Sequence, residues 1–267
     1  MPSVTLPDGA RIAYDLFDFT DPWKPAPTVV LVHGFTKNRK FWYEWIPGLA
    51  RKFRVICVDQ RGHGDSDPIE PGFKMGLEPF AQDLAAFIDK LGIRPAFLVM
   101  AEFTSAVAIE LATRFPEHVA GLILPGFWSN AKSSPVNRTE WIRLVEEEGA
   151  EAMVRATNNL RLPADTDPAQ REWYIQQQLR VPGWFYSALF RFNHDLDLTP
   201  RLPAIQASTL LIVGSRGQQG SLDGAKQASE LIPHCRLAIM EGMPFNVMSA
   251  CADACVSETL QFLDGLS

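Results

Sequence analysis

The amino-acid sequence predicts an α/β protein with a mostly parallel central sheet, helices on both faces and an inserted helical cap. Apolar runs such as 28–32 and 208–214 lack polar alternation, which is typical of strands covered on both faces. Amphipathic helical patterns alternate with these runs, as in a sheet with crossover helices. Between about residues 128 and 200, helical patterns continue without any apolar strand pattern.

Composition narrows the function classes. The chain has 267 residues, of which 46% are hydrophobic, so it can bury a full core. Its net charge of −6 offers no basic face for nucleic acid or an anionic membrane. No apolar run approaches the ~20 residues that cross a bilayer, and residues 1–9 lack a signal-peptide pattern. We therefore expect a soluble, cytoplasmic protein that binds neither nucleic acid nor membrane.

The cysteines give no metal site. Four are present, and no histidine or carboxylate cluster accompanies them at zinc-ligand spacing: Cys57, Cys235, Cys251 and Cys255. We interpret them as small core residues and predict no metal and no cofactor.

The elements follow in a regular order. The predicted strands are a hairpin at 4–14, then 28–32, 53–58, 97–101, 119–125, 208–214 and 236–240. The predicted helices of the sheet region lie at about 42–49, 79–91, 103–115 and 251–263. Inside the cap, Asn137 with Glu140 and Asp167 with Pro168 are helix-start signals. The domain prediction is a core of 1–127 and 200–267 with a cap of 128–199.

One turn organises the rest of the chain. The apolar run 97–101 ends at Glu102, and an Ala-rich helical pattern begins directly afterwards. A strand, sharp turn and helix of this kind often present a nucleophile, as in G-x-S-x-G. Here Glu102 is the tip residue, while Met100 and Thr104 occupy the two glycine positions.

These patterns resemble the α/β-hydrolase superfamily over nearly the whole chain. The matching stretches are 30–35 (strand and His-Gly loop), 59–66 (D-x-R-G-x-G-x-S) and 209–214 (strand before the acid loop). The chain is similar to the small lactonases, esterases, haloperoxidase-like proteins and C–C bond hydrolases that carry helical caps. Fold alone does not settle function.

The resemblance also shows what is missing. The superfamily's nucleophile position falls on Glu102 and its acid position on Gly217. Its histidine position falls on Phe245, or on Asn246 with a shift of one residue, and no histidine follows His234. The Ser-His-Asp mechanism needs a base oriented beside the nucleophile, so we predict that it does not operate here.

Glu102 has three interpretations. As a nucleophile, it would resemble the aspartate of haloalkane dehalogenases and epoxide hydrolases, but without the histidine that completes turnover. It would otherwise be a general acid or base. Alternatively, its carboxylate would fold onto the backbone N–H groups of Phe35 and Phe103, the superfamily's oxyanion donors, and block that site.

Other candidate site residues follow from the resemblance. His33 belongs to the His-Gly loop and is the histidine expected nearest Glu102. The predicted substrate-binding residues come from loops and cap helices that end at the pocket of this fold: Trp128, Trp184, Tyr186, His194, Phe245 and Asn246. Their aromatic character favours a small hydrophobic or aromatic ligand.

Three functions remain open at this stage. The first is a cofactor-free enzyme that uses Glu102 on a small carbonyl compound, by elimination, decarboxylation, isomerisation, cyclisation or an unusual hydrolysis. The second is a catalytically inactive protein that binds a small ligand. The third is an ester, lactone or C–C bond hydrolase that pairs Glu102 with His33 or His194. The sequence leaves open a homodimer.

Overall fold

A computed structural model describes residues 2–134, 136–217 and 220–266. Within them, eight strands form one sheet in the order β1-β2-β4-β3-β5-β6-β7-β8. The strands are β1 (Ser3–Thr5), β2 (Arg11–Phe17), β3 (Thr28–Val32), β4 (Arg54–Val58), β5 (Ala96–Met100), β6 (Val119–Pro125), β7 (Thr209–Gly214) and β8 (Cys235–Met240). The first two junctions are antiparallel and the others are parallel, so the predicted α/β fold is confirmed.

Helices cover the sheet and also form most of the long β6–β7 connection. They are α1 (Ile46–Leu49), α2 (Leu77–Leu91), α3 (Thr104–Arg114), α4 (Arg138–Glu148), α5 (Ala150–Ala156), α6 (Pro168–Gln178), α7 (Gly183–Asn193), α8 (Leu222–Leu231), α9 (Val247–Ala250) and α10 (Ala252–Asp264). Short 3-10 helices lie at Arg39–Trp42, Pro116–His118, Ala131–Ser133, Asn158–Leu160 and Thr199–Ala204. In the part of the chain described, none of these helices has the length and apolar character needed to cross a bilayer.

The predicted helix at 42–49 is wrong as a single element. A 3-10 helix ends at Trp42, and the separate helix α1 begins at Ile46. Pro47 and Gly48 lie inside this stretch, and both residue types disfavour a continuous α-helix. The two helix starts in the β6–β7 connection are confirmed: Asn137 and Asp167 accept hydrogen bonds from the first turns of α4 and α6.

Strand alternation divides the core into two layers. Val30 and Leu98 pack on one face of the sheet, while Val29 and Val99 pack on the other. Successive strand side chains point to opposite faces, so a continuous apolar run supplies both layers. This is why the sheet strands read as uninterrupted apolar segments.

The register of the central strands positions the site. Val32 pairs with Met100, so β3 and β5 end side by side at the same edge of the sheet. The loop after β3 and the turn after β5 therefore meet there, where ligands bind in open α/β sheets. Helices α4–α7 connect β6 to β7, and a bridge between Asn130 and Asp197 joins the two ends of this connection. The division into core and cap domains stays a prediction.

Candidate active site

Glu102 occupies the tight turn between β5 and α3. Its φ of +56° lies in the left-handed region, which non-glycine residues adopt at an energetic cost. Its backbone N–H donates to the Pro125 carbonyl at 2.8 Å, and its carbonyl accepts from Ser105 N at 2.9 Å. The predicted sharp turn is present, and these contacts fix its tip.

Lys37 is the direct partner of Glu102. Its Nζ lies 2.6 Å from Glu102 Oε1 and 2.9 Å from Asn246 Oδ1. The Lys37 side chain is 2% exposed and that of Glu102 is 12% exposed, so the carboxylate is the more accessible of the pair. The ammonium also lies 5.3 Å from the Phe41 ring centroid and 5.1 Å from that of Tyr174. Such cation–π contacts partly replace lost hydration.

The electrostatics of Lys37 combine two opposing effects. Burial lowers the pKa of its ammonium group, and the adjacent Glu102 carboxylate works in the opposite direction. Removal from water outweighs the carboxylate, so the pKa of Lys37 lies below its usual value. A lysine of this kind releases a proton more readily than an exposed one.

Asn246 extends the hydrogen-bonded chain to Tyr174. Its Nδ2 donates to Tyr174 Oη at 2.9 Å, while its Oδ1 accepts from Lys37. The amide nitrogen therefore donates one hydrogen bond and the amide oxygen accepts one, as the chemistry of the group requires. Burial raises the pKa of Tyr174, so the phenol stays protonated. The chain Glu102–Lys37–Asn246–Tyr174 therefore links the turn after β5 to helix α6.

A cavity of about 80 Å³ lies beside this chain. Sheet loops contribute Phe35, Phe103 and Phe245, and the β6–β7 connection contributes Trp128, Trp141, Tyr186 and Phe190. Charged lining residues are Lys37, Glu102, Arg138 and Arg161. The walls thus combine aromatic rings with three cationic side chains and one carboxylate.

The cavity volume bears on the predicted aromatic ligand. An apolar cavity that accommodates benzene has a volume of roughly 150 Å³. The cavity beside Glu102 is about 80 Å³, roughly half that volume, so it favours a small ligand. The pocket predicted to favour a hydrophobic or aromatic ligand also has four charged side chains in its wall.

In the described residues, the His33 side chain forms hydrogen bonds with backbone groups and not with Glu102, the partner proposed for it from the sequence. Its Nε2 accepts from the backbone N–H of Gln60 at 3.1 Å, and its Nδ1 lies 2.9 Å from the Gly34 carbonyl. Full burial lowers the pKa of His33 to about 4, so the ring is neutral. The hydrogen bonds recorded for Glu102 in the described residues do not include His33; Lys37 occupies the partner position.

The remaining predicted residues divide into two groups. Phe35, Phe103, Trp128, Tyr186 and Phe245 line the cavity, and Asn246 reaches it through Lys37.

His194 and Trp184 are not among the lining residues. His194 is exposed at the end of α7. The Trp184 ring packs against the Phe185 ring, with the two ring centroids 5.8 Å apart. The placement of these two residues corrects the expectation that they contact a ligand here.

The backbone oxyanion donors do not hold the Glu102 carboxylate. Among the described residues, its recorded side-chain hydrogen bond comes from Lys37, not from the N–H groups of Phe35 or Phe103. Gly217, the predicted acid position, offers no side chain, and a Cβ there would lie 3.3 Å from Phe245 Cα. The loop carrying Gly217 thus lies against the segment that precedes Asn246.

Sequence reasoning missed the polar side chains that define the site: Lys37, Arg138, Arg161, Tyr174 and Gln178. Lysine and arginine side chains are normally exposed, so residue type alone favours a solvated surface at Lys37, Arg138 and Arg161. Lys37 lies two residues beyond the matched stretch 30–35, and nothing local in the sequence predicts burial of its ammonium group.

The fold and the sharp turn at Glu102 define a class of protein. Residues 27–241 match the family model described as alpha/beta hydrolase fold. Because this match spans most of the chain, the protein belongs to the α/β-hydrolase family.

Individual relatives are distant. A RutD protein of Stutzerimonas stutzeri, assigned as a carbamate hydrolase, is 26% identical over 238 residues, covering 85% of this chain and 87% of the relative. Bifunctional epoxide hydrolase 2 of Sus scrofa is 33% identical over 117 residues, which are 41% of this chain and 20% of that protein. The crystal structure of the enol-lactonase from Burkholderia xenovorans LB400 superposes with a TM-score of 0.86 at 19% identity, covering 98% of this chain and 100% of that one. These relatives are hydrolases by name.

Proposed function

We propose that this protein is a cofactor-independent enzyme of the α/β-hydrolase fold, in which Glu102 transfers a proton to and from a small carbonyl compound. The observation that carries the proposal is the 2.6 Å contact between Glu102 Oε1 and Lys37 Nζ beside the cavity. The carboxylate stands at the superfamily's nucleophile position, and the ammonium group contacts Asn246, one of the two candidates for the superfamily's histidine position.

The two groups have complementary tasks. The Glu102 carboxylate takes a proton from the carbon next to the substrate carbonyl, and the C–H electron pair moves into a carbon–carbon double bond. The carbonyl π electrons move to oxygen, where the Lys37 ammonium stabilises the negative charge. Return of the proton to carbon gives isomerisation or exchange, and loss of a leaving group from the neighbouring carbon gives elimination.

One relative supports a carbonyl substrate. The RutD relative is assigned to carbamates, which contain a carbonyl group. Hydrolysis of such a compound remains within the proposal, with Glu102 as general base for water and Lys37 beside the carbonyl oxygen. The epoxide hydrolase relative favours a third use of the same carboxylate, direct attack on carbon, which would leave an ester on Glu102.

A second candidate function is ligand binding without turnover. The observation in its favour is that Glu102 and Lys37 neutralise each other and that Asn246 and Tyr174 complete the chain. A satisfied buried network of this kind rigidifies a site. The placement of His33 and His194 gives no such support to a hydrolase that pairs either histidine with Glu102.

Deuterium exchange tests the proposed proton transfer without knowledge of the full reaction. Small ketones, keto acids, lactones and esters are incubated with the protein in D2O, and mass spectrometry measures deuterium at carbon. We expect Glu102→Gln to lower the exchange rate about 10²-fold or more while ligand affinity is retained. The control is Glu258→Gln on α10, whose carboxylate pairs with Arg236 and does not line the cavity.

Other outcomes separate the candidates. Equal exchange rates in the wild type and Glu102→Gln would refute acid–base catalysis by this residue. Ligand-induced thermal stabilisation that survives Glu102→Ala, with no exchange or hydrolysis of any bound compound, would establish the binding function instead. A mass increase on a peptide containing Glu102 would identify the covalent route.

A further inference from the structure

We infer that the cavity beside Glu102 recognises the carboxylate of a small organic anion through Arg161 and Arg138. This inference rests on the proposed function and deepens it, because it names the substrate class as carbonyl compounds that carry a carboxylate group.

Arg161 is the first observation. Its residue is 8% exposed, and it lines the cavity. Its recorded hydrogen bonds, to the carbonyl and hydroxyl of Thr157, both use Nη1. In the described part of the chain, Nε and Nη2 have no recorded acceptor, and no carboxylate pairs with this guanidinium. A buried guanidinium without a counter-ion is costly, so this one is suited to receive an anion.

Arg138 is the second observation. It lines the same cavity, and within the described residues the recorded partners of its side chain are the Ala131 carbonyl at 3.2 Å and the Trp128 ring, 5.7 Å from Cζ. Burial lowers the pKa of Arg138, and no acidic group acts against this effect. A second guanidinium therefore reaches the cavity without a carboxylate partner.

The charge balance of the cavity points in the same direction. Lys37, Arg138 and Arg161 are cationic, whereas Glu102 is the single acidic residue of the described lining and is paired with Lys37. The positive charge of Arg161 also acts to lower the pKa of Lys37, because like charges repel. A bound anion in the cavity would reduce the electrostatic repulsion between Lys37 and Arg161.

Neutral groups around the arginines are further hydrogen-bond donors. Trp128 Nε1 and Gln178 Nε2 belong to lining residues, and both are buried without a recorded partner in the described chain. Aromatic rings hold the guanidinium groups in place, since Trp141 lies 5.3 Å from Cζ of Arg161. A planar guanidinium fixed in this way matches a carboxylate with two parallel hydrogen bonds.

The two ends of the ligand contact different parts of the site. Its carboxylate is held by the arginines of the β6–β7 connection, while its carbonyl end meets Glu102 and Lys37 at the sheet edge. The small volume, about 80 Å³, favours a short chain, such as a three- or four-carbon keto acid, over longer anions. The arginines thus supply orientation rather than chemistry.

Matched ligand pairs test the inference on the wild-type protein. Acetoacetate is compared with acetoacetamide, and pyruvate with pyruvamide, by isothermal titration calorimetry and thermal melting. We expect each acid to bind roughly tenfold to hundredfold more tightly than its neutral amide. Equal affinity within both pairs would overturn the inference, and this result needs no variant to fold.

Variants then locate the binding group. Arg161→Met and the conservative Arg161→Lys should abolish and weaken acid binding respectively, with little effect on the amides. Arg143→Met is the control, because Arg143 lies on α4 but is exposed and paired with glutamates. Loss of acid binding in Arg143→Met, or its retention in Arg161→Met, would contradict the assignment. Inorganic phosphate or sulfate that binds as tightly as the keto acids would also contradict it, since the organic part would then contribute nothing.

Two combined results distinguish the anion site from the proposed catalysis. Tight, Arg161-dependent binding of keto acids without deuterium exchange would leave the anion site intact and refute catalysis. Exchange on neutral ketones, with no preference for acids, would refute the anion site and leave catalysis intact.

Discussion

The carboxylate of Glu102 lies directly against the backbone of Gly34: a Cβ built at Gly34 would lie 2.4 Å from Glu102 Oε2 and 3.4 Å from the Ala101 carbonyl. The loop after β3 therefore approaches the turn after β5 so closely that a methyl group does not fit between them. The His-Gly loop needs its glycine for this packing, which sets the position of the carboxylate relative to Lys37.

We predict that Gly34→Ala displaces the Glu102 carboxylate and destabilises the protein by about 1–3 kcal/mol, the typical cost of overpacking. Gly183→Ala is the matched control, because a Cβ there meets its nearest neighbour at 3.9 Å, within the first turn of α7. Urea unfolding measures both variants. Similar stability of the two would show that the carboxylate has room to move.

The ion pair between Lys37 and Glu102 gives a second prediction. Lys37→Met leaves a carboxylate without its partner, so we expect a loss of about 3–5 kcal/mol in the free energy of unfolding. Adding Glu102→Gln to this variant removes the unpaired charge and should recover part of the loss. A double-mutant cycle from urea denaturation measures the coupling. Additive effects of the two substitutions would refute a direct interaction.

The backbone of Glu102 gives a third prediction. Its φ of +56° suits glycine, whereas a Cβ in the left-handed region costs roughly 1–2 kcal/mol. Glu102→Gly and Glu102→Ala both remove the carboxylate, so their difference isolates the backbone term. We expect the glycine variant to be more stable than the alanine variant by about 1 kcal/mol in thermal or urea unfolding. A more stable alanine variant would indicate that the turn carries no strain.

His33 gives a prediction about pH. Its pKa is about 4 in the folded protein because the ring is buried, and about 6.5 in the unfolded chain. Between these values the unfolded chain binds a proton that the folded protein does not, so stability falls as the pH drops from 6.5 to 4. This histidine accounts for a loss of about 3 kcal/mol over that range.

The measurement is urea unfolding at several pH values. His33→Asn should be less stable than the wild type at pH 7, because its hydrogen bonds to Gln60 and Gly34 change, but it should lose less stability on acidification. His234→Asn is the control, since His234 is exposed. Identical acid dependence in the wild type and His33→Asn would disprove the assignment.

Local chemistry made several elements predictable. The β3 and β6 strands were predicted at their observed bounds, because continuous apolar runs mark strands buried on both faces. The N-caps Asn137 and Asp167 were predicted because a cap depends on side chains within three residues of it. The identity of Glu102 as the tip of the turn followed from the same short-range logic.

The sequence by itself determined the α/β architecture, the sharp turn between β5 and α3, and the carboxylate on that turn, since backbone periodicity and capping act over a few residues. Only the tertiary structure decided the partner of that carboxylate. Lys37 is separated from Glu102 by 65 positions and from Asn246 by 209, and its burial depends on the rings of Phe41 and Tyr174 that fold over it. Burial of an ammonium group is a property of everything that surrounds it, and no local pattern encodes those surroundings.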